Sequence, residues 1–338
     1  MAHTAVAAPQ THIVTRLPGL AVTLLIAGAA TGLGLLVPVV GGPVFAIVLG
    51  VLAATIVKPL RSTRLAPGYT FASKTVLQLS IVVLGTGLSL QQVVHVGVSS
   101  LPVMLGTLAV ALGGAWLLGK WLKVGSDTKT LIGVGTGICG ASAIAATTAV
   151  IKPKSTETAY AIGTIFTFNI AAVLLFPPIG HLLGLSPQAF GLWAGTAVND
   201  TSSVVAAAYA YGGDAGSYAI VVKLTRSLMI IPIVIALAWL KARKDDEVHL
   251  PWHRIVPAFL IGFVLAAATD TAGLIPDSWH PALSTLGAFL ITTALAGIGL
   301  SLRFADMRKA GARPLLLGGL LWIAVAASSL GIQALTGL

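Results

Sequence analysis

Three ionisable side chains lie well inside apolar stretches of the sequence: Asp200, Lys223 and Arg226. A charge at the centre of a bilayer costs roughly 2.5 to 3.5 kcal/mol on insertion scales, so each of them is a functional candidate. Lys223 and Arg226 are three residues apart and would share one face of a helix. Because arginine offers a fork of N–H donors and lysine a compact charge, the pair suits the binding of an oxyanion.

Other interpretations of these residues stay open. Either cation could extend to the membrane interface, or could pair with Asp200 as a structural counter-charge. Asp200 is also a candidate coupling residue, because a buried carboxyl group can carry a proton. Together with Asn199, Thr201 and Ser202 it could instead hold Na⁺ through oxygen ligands. The residue types alone do not separate these roles.

Two apolar segments are interrupted by glycines and small polar residues: Gly135-Thr-Gly-Ile-Cys-Gly-Ala-Ser142 and Gly195-Thr-Ala-Val-Asn-Asp-Thr-Ser202. Non-helical backbone inside a membrane is tolerated only where it is buried in protein or lines a water-filled cavity, so two breaks indicate a solute pathway. The first segment has no charge, and its backbone N–H groups, hydroxyls and helix N-termini attract anions. Its candidate binding residues are Gly135, Thr136, Gly137, Gly140 and Ser142.

A purely structural alternative for the first segment is that its small residues merely allow close packing of helices. Cys139, the single cysteine of the chain, is expected to be a packing residue. Asn169, in the apolar stretch that follows, could reach the site or could satisfy the backbone of a neighbouring helix.

The elements that carry these residues must lie in a membrane. Hydrophobic residues make up 56% of the chain and charged residues only 9%, with a mean hydropathy of +0.95, whereas soluble domains contain about 25% charged residues. A span needs about 20 apolar residues. Stretches of that length begin near Leu17, Pro43, Thr75, Leu101, Ser155, Ser217, Ile255, Leu283 and Pro314.

These stretches predict an all-α polytopic membrane protein that forms a single integral membrane domain over residues 1–338. It would have nine transmembrane helices plus the two interrupted segments as re-entrant or discontinuous helices, or eleven if both segments cross. Lys152 and Lys154, directly after the first segment, favour a re-entrant hairpin, because basic loops lie on the cytoplasmic side.

The basic residues also predict the orientation of the chain. The formal net charge of +10 comes from residues scattered over alternate short loops, which indicates topology rather than nucleic-acid binding. By this rule residues 1–16 form a cytoplasmic tail, residues 241–254 form a cytoplasmic loop, and the C-terminus is extracytoplasmic. The opposite loops, including residues 91–100, carry almost no basic residue.

A repeated motif predicts internal symmetry. Gly85-Thr-Gly-Leu-Ser-Leu90, followed by Pro102, recurs as Gly297-Ile-Gly-Leu-Ser-Leu302, followed by Pro314. Under the predicted topology the two copies start on opposite sides of the membrane, which makes inverted repeats of residues 71–182 and 187–338. Inverted repeats with interrupted helices are typical of secondary transporters.

Several function classes are disfavoured by the same sequence. It has no GxxxxGK[ST] motif for ATP hydrolysis, no pair of cysteines, and no histidine pair with metal-ligand spacing. We therefore expect no catalytic residues, no metal site and no resident cofactor, with Na⁺ or H⁺ as the coupling ion of transport.

The interrupted segments 135–145 and 195–206 resemble the signature segments of the YeiH-type family of bacterial inner-membrane proteins, which are generally described as sulfate exporters. The resemblance runs from about Leu17 to the C-terminus. It implies a remote relation to cation/proton antiporters and bile-acid sodium symporters, whose fold joins a panel domain to a core domain with two crossing broken helices. This chain departs from their usual order, because its second interrupted segment precedes the second glycine-leucine helix.

The sequence and the resemblance together predict a secondary transporter in the bacterial inner membrane that works by alternating access. It would export a small anion, with sulfate or a related sulfur oxyanion as the substrate that the family implies, and a homodimer is one assembly open to it. The alternative is a sodium or proton antiporter that uses Asn199 and Asp200. A more distant alternative is a non-transporting membrane sensor or scaffold.

Overall fold

The computed structural model describes residues 15–37, 41–242, 257–302 and 311–338. The predicted tail of residues 1–16 and the predicted loop of residues 241–254 lie largely outside these ranges. Within them the chain folds into α-helices joined by short turns, and no strand is formed. The all-α prediction is therefore confirmed for the described part of the chain.

The α-helices are listed here in chain order with the bounds used below. They are α1 (Leu17–Leu36), α2 (Gly41–Ile56), α3 (Ala66–Phe71), α4 (Leu77–Gly85), α5 (Leu90–Ser99), α6 (Leu101–Trp121), α7 (Ser126–Gly137), α8 (Ala141–Ile151), α9 (Ser155–Leu182), α10 (Pro187–Ala197), α11 (Thr201–Tyr211), α12 (Ala215–Ser227), α13 (Ile230–Ala242), α14 (Ala258–Thr271), α15 (His280–Ser301) and α16 (Ala312–Thr336). A π turn over Ala72–Val76 joins α3 to α4.

Many of these helices are long and apolar enough to cross a membrane. The described residues contain six such helices, or seven if Ala66–Gly85 and Leu90–Ser99 count as one broken span. The six are Leu17–Leu36, Leu101–Trp121, Ser155–Leu182, Ala215–Leu240, Asp277–Ser301 and Ala312–Thr336. A multi-pass architecture is therefore confirmed, while the count of nine spans plus two special helices stays a prediction.

The chain divides into two compact units. The first unit comprises Met1–Gly87 and Ile275–Leu302, and the second comprises Leu88–Leu274 and Arg303–Leu338. In the first unit α15 packs against α1, α2 and α4. Gly299 of α15 lies so close to α2 that a Cβ added to it would stand 2.6 Å from the Ile47 carbonyl oxygen. Glycine there lets the two backbones approach closely, as is common in membrane helix pairs.

The second unit is built around α6 and α16, which pack against each other and against α7 and α10. Helix α9 packs on α7, α11 and α16, and α12 packs on α10 and α11. Phe176 of α9 stacks on Trp193 of α10 with ring centroids 4.1 Å apart. The Trp193 indole N–H donates to the Ala326 carbonyl oxygen of α16 at 3.0 Å. This apolar packing and the indole bond hold α10 in place.

Residues 91–100 differ from the loop that was predicted there. They belong mostly to helix α5, which begins with a capping box. The Ser89 hydroxyl accepts from the Gln92 N–H at 3.2 Å, and the Gln92 side chain accepts from the Ser89 N–H at 3.1 Å. This reciprocal pair satisfies two backbone donors and starts a helix.

The two copies of the repeated motif have similar local roles. The first copy begins where α4 ends at Gly85, and the second spans the end of α15 at Ser301. Pro102 and Pro314 both lie in the first turn of a following helix, α6 and α16, where a proline is tolerated. The inverted relation between the copies, and the repeat bounds 71–182 and 187–338, stay predictions.

Candidate functional site

Each interrupted segment forms two helices separated by three residues. The first break, Ile138–Gly140, separates α7 from α8, and the second break, Val198–Asp200, separates α10 from α11. Gly140 has a φ of +69°, a conformation that favours glycine. Its N–H donates to the Gly135 carbonyl oxygen at 2.9 Å, which closes the end of α7. The predicted interruptions are therefore present in the structure.

The two breaks touch each other. A Cβ added to Gly140 would lie 3.4 Å from both the Cα and the Cβ of Asp200. Ile165 of α9 packs over the first break, because its side chain lies 3.1 Å from a Cβ position at Gly135 and 3.3 Å from one at Gly140. The breaks thus form one crossing, lined on one side by α9.

Lys223 and Arg226 of α12 join the two breaks. The Lys223 ammonium donates to the Ile138 carbonyl oxygen at 2.8 Å and to the Val198 carbonyl oxygen at 2.9 Å. The Arg226 guanidinium donates to the carbonyl oxygens of Gly137 at 2.8 Å and Val198 at 3.1 Å. A further Arg226 N–H donates to the Thr136 carbonyl oxygen. Both side chains are 0% exposed.

These bonds explain why two cations are stable inside the protein. The last carbonyls of a helix have no partner within the helix and carry the negative end of its dipole. Lys223 and Arg226 supply both hydrogen bonds and positive charge to the C-terminal ends of α7 and α10. Arg226 also lies near the middle of the apolar span Ala215–Leu240. The interpretation that either cation reaches the membrane interface is therefore wrong.

Asp200 lies at the opposite kind of helix end, the positively polarised N-terminus of α11. Its carboxylate caps α11 by accepting from the Ser202 N–H at 3.1 Å, and it also accepts from the Ser202 hydroxyl. A carboxylate at a helix N-terminus is favourable because of the helix dipole. Among the described residues Asp200 forms no ion pair with Lys223 or Arg226. The cations therefore bind backbone carbonyls and do not act as direct counter-charges of Asp200.

The N-terminus of α8 has no such cap. Its N-cap is Gly140, which has no side chain to accept a hydrogen bond, although the Cys139 thiol is in hydrogen-bonding contact with the Ala143 N–H. Within the described residues, the backbone N–H groups of Ala141 and Ser142 have no hydrogen-bond partner. Ser142 itself is exposed, and Thr201 and Ser202 of α11 are partly buried. One of the two helix N-termini at the crossing thus has no anionic cap in the described structure and keeps two unpaired N–H groups, those of Ala141 and Ser142.

Two buried asparagines lie at the crossing with unused hydrogen-bonding capacity. Asn169 of α9 is 3% exposed, and its side-chain oxygen accepts from the Asp200 N–H at 3.3 Å. Its amide nitrogen has no partner in the described structure. Asn199, in the second break, is 1% exposed, and neither its amide nitrogen nor its amide oxygen has one. Unpaired buried amides are costly, and each needs an explanation.

The residues predicted to form the site are brought together, but they divide into two groups. The carbonyls of Thr136 and Gly137 are hydrogen-bond acceptors for Arg226, and Gly135 is a buried packing position. Gly140 and Ser142 belong to the open helix N-terminus. The acceptors at Ile138 and Val198 were missed by the sequence analysis, although each directly follows the last residue of a broken helix. Within the described ranges no group of three or more His, Cys, Asp and Glu could hold a metal ion.

The chain is similar to a family of bacterial membrane proteins. A family model described as conserved hypothetical protein 698 matches residues 18–318. The UPF0324 membrane protein SpyM3_0740 of Streptococcus pyogenes serotype M3 is 44% identical over 97% of this chain and 99% of its own length. A UPF0324 membrane protein of Streptococcus mutans serotype c is 43% identical over 96% of this chain and 98% of its own length. No solved structure matches the chain.

Proposed function

Since the chain belongs to the conserved hypothetical protein 698 family, the YeiH-type family expected from its motifs, and is a multi-pass membrane protein, we propose that it is a secondary transporter for a small anion. It moves the anion across the bacterial inner membrane by alternating access. The part of the chain that carries both breaks acts as the transport core.

The observation that carries this proposal is the contact between the two helix breaks, which Lys223 and Arg226 join. A membrane protein that needed only helix packing would keep these helices continuous, because broken backbone in a membrane requires other partners. Here two fully buried cations donate hydrogen bonds to the freed carbonyls, and the N-terminus of α8 has no anionic cap within the described ranges. Interrupted helices of this kind are the usual binding element of secondary transporters.

The charge at the crossing favours an anion. Each helix end carries about half an elementary charge, so the two C-terminal and two N-terminal ends roughly cancel. Among the described residues, the side chains then contribute the two cations Lys223 and Arg226 against the single carboxylate of Asp200. The excess of about one positive charge in a low-dielectric region is best balanced by a negatively charged substrate.

The finer features of the proposal rest on the residues and on the family resemblance. Sulfate or a related sulfur oxyanion is the proposed substrate, and the proposed direction of transport is export from the cytoplasm. Asp200 carries the coupling charge, with H⁺ or Na⁺ as the ion. The N-terminus is cytoplasmic and the C-terminus extracytoplasmic, as the basic loops indicate. The proposed partners are the lipid bilayer and the anion, and the proposed assembly is a homodimer. We propose no enzymatic activity for the chain.

The direct test is flux of radiolabelled anions in proteoliposomes that contain the purified full chain. We expect sulfate flux above that of empty liposomes, and a loss of roughly tenfold or more in Arg226→Gln, because the substitution removes the excess positive charge. Arg313→Gln is the matched control, since Arg313 is an exposed arginine at the start of α16 and its loss should leave flux unchanged.

Two results would contradict the proposal. One is the absence of flux for every member of a panel of sulfate, sulfite, thiosulfate, phosphate, chloride and small carboxylates in the wild type. The other is equal flux by Arg226→Gln and Arg313→Gln, both shown to be monodisperse by size-exclusion chromatography.

A cation antiporter is the second candidate, and two observations favour it. The Asp200 carboxylate is partly exposed, and the Asn199 side-chain oxygen is unpartnered within the described structure, so both could contribute to a Na⁺ site. In that case Na⁺ flux driven by a pH gradient would be measurable without any anion substrate. It would be lost in Asp200→Asn, which keeps the size of the side chain.

A further inference from the structure

We propose that a single oxyanion binds at the N-terminus of α8, held by the N–H groups of Ala141 and Ser142, the Ser142 hydroxyl and the side-chain amide nitrogen of Asn169. This inference rests on the proposed function, because it names the subsite that takes the anion. It assigns Lys223 and Arg226 a different role from direct binding: they neutralise helix ends and contribute charge from a distance.

The helix N-terminus supplies the first part of the subsite. α8 is eleven residues long, so its dipole is well developed, and its first N–H groups lie directly beside the break. The neighbouring N-terminus of α11 is already occupied by the Asp200 carboxylate. The two N-termini meet at the contact of Gly140 with Asp200, yet only one of them has an anionic group.

Asn169 supplies the second part, and its orientation follows from chemistry. The Asp200 N–H can only donate, so the Asn169 atom that faces it must be the oxygen, and the amide nitrogen must be the unpaired atom. Ile165, four residues earlier on α9, packs on Gly140 and therefore places this face of α9 against the first break. The unpaired Asn169 amide nitrogen and the unpaired N–H groups of Ala141 and Ser142 are all donors, so a single negatively charged acceptor would suit them.

Access distinguishes this end of the crossing from the other. Lys223 and Arg226 are 0% exposed and already bonded to carbonyls, whereas Ser142 is exposed and Ala141 is partly buried. An incoming anion could reach the first turn of α8 without breaking any existing hydrogen bond. To reach the cations directly, it would have to displace the carbonyls of both broken helices.

The experiment compares Ser142→Asp with Ser142→Asn, using sulfate as the probe and isothermal titration calorimetry on the full chain in detergent free of anionic lipid. An aspartate in the first turn of a helix is favourable, so the variant should fold, and its carboxylate would occupy the subsite in place of the anion. We expect sulfate to bind Ser142→Asp about tenfold or more weakly than Ser142→Asn, whose side chain has the same size but no charge.

Asn169→Asp provides an independent second variant. It keeps an oxygen to accept from the Asp200 N–H but replaces the unpaired donor with an anionic acceptor, so sulfate binding should again weaken about tenfold or more. Gln91→Glu, the same type of change on the exposed surface of α5, is its control and should bind as the wild type does.

The outcomes separate the subsite from the function. Equal sulfate affinity of Ser142→Asp and Ser142→Asn would overturn the subsite, even if the wild type transports sulfate. A wild type with sulfate flux whose affinity is unchanged by Asn169→Asp would overturn the role of Asn169. Absence of both binding and flux in the wild type for every anion tested would instead contradict the proposed function.

Discussion

At the residue scale, buried charge is balanced by backbone rather than by opposite charge. Arg226 donates to carbonyls of Thr136, Gly137 and Val198, and Lys223 shares the last of these. A guanidinium can serve three acceptors because its N–H groups form a rigid planar fork, whereas an ammonium is a compact point. Arginine and lysine are therefore not interchangeable at position 226.

This difference predicts a stability effect. Arg226→Lys keeps the charge but cannot reach all three carbonyls, and each hydrogen bond to a charged group contributes about 1.5 to 3 kcal/mol. We expect the free energy of unfolding in mixed micelles to fall by roughly 3 kcal/mol or more. Arg313→Lys, at an exposed position of α16, should change it by less than about 0.5 kcal/mol. Similar values for the two variants would show that the fork is not needed.

The residue types could be predicted from the sequence, but their partners could not. Asp200, Lys223 and Arg226 stand out because charge is rare in apolar segments. Whether such cations meet an anion, a carboxylate or a carbonyl depends on which helix ends lie beside α12, and that arrangement is tertiary. Asn169 was recognised as a residue that could serve either the site or a neighbouring backbone, and its oxygen does the latter.

At the scale of elements, a glycine allows the two breaks to meet. Gly140 has a φ of +69°, which favours glycine, and it lies in van der Waals contact with Asp200. The position of both breaks could be predicted, since glycines and small polar residues interrupt otherwise apolar runs. Helix α5 was missed because its short, weakly polar sequence was taken for a loop, although Ser89 and Gln92 have capping-box spacing.

Gly140→Ala tests the importance of this conformation. A side chain at such a φ costs roughly 1 to 3 kcal/mol, and the added methyl group would also lie close to the Ile165 side chain, at 3.3 Å. We expect the free energy of unfolding to fall by at least about 1 kcal/mol. Gly113→Ala in α6 is the control, because no atom lies within 4 Å of its Cβ position and alanine is the better helix former. Equal free energies of unfolding for the two variants would contradict the idea that the backbone conformation at Gly140 requires glycine.

At the scale of the whole molecule, hydropathy predicted the class of protein better than the number of its spans. In the part of the chain that the structure describes, six helices are long and apolar enough to cross a membrane, while the apolar stretches that begin near Pro43 and Thr75 correspond to shorter or interrupted helices. Composition is a property of windows of about 20 residues, so it cannot distinguish a straight span from a broken one. The glycines and the loop charges are needed for that distinction.

The orientation of the chain can be measured with cysteine labelling. Cys139 is the single cysteine, so Cys139→Ala provides a background without thiols. In it, Asp214→Cys, exposed before α12, should react with a membrane-impermeant maleimide in intact cells. Lys123→Cys, exposed after α6, should react only after permeabilisation. The reverse pattern would place the N-terminus outside.

The single carbonyl of Val198 accepts hydrogen bonds from both Lys223 and Arg226, whose remaining bonds all go to the last residues of α7 and to Ile138 directly after it. Helix α12 therefore acts as a mechanical linkage, because a shift along its axis would release the ends of α7 and α10 at the same moment. Neither break can move away alone without leaving both cations partly unpaired. Any rearrangement that begins at one broken helix must be transmitted to the other through one turn of α12.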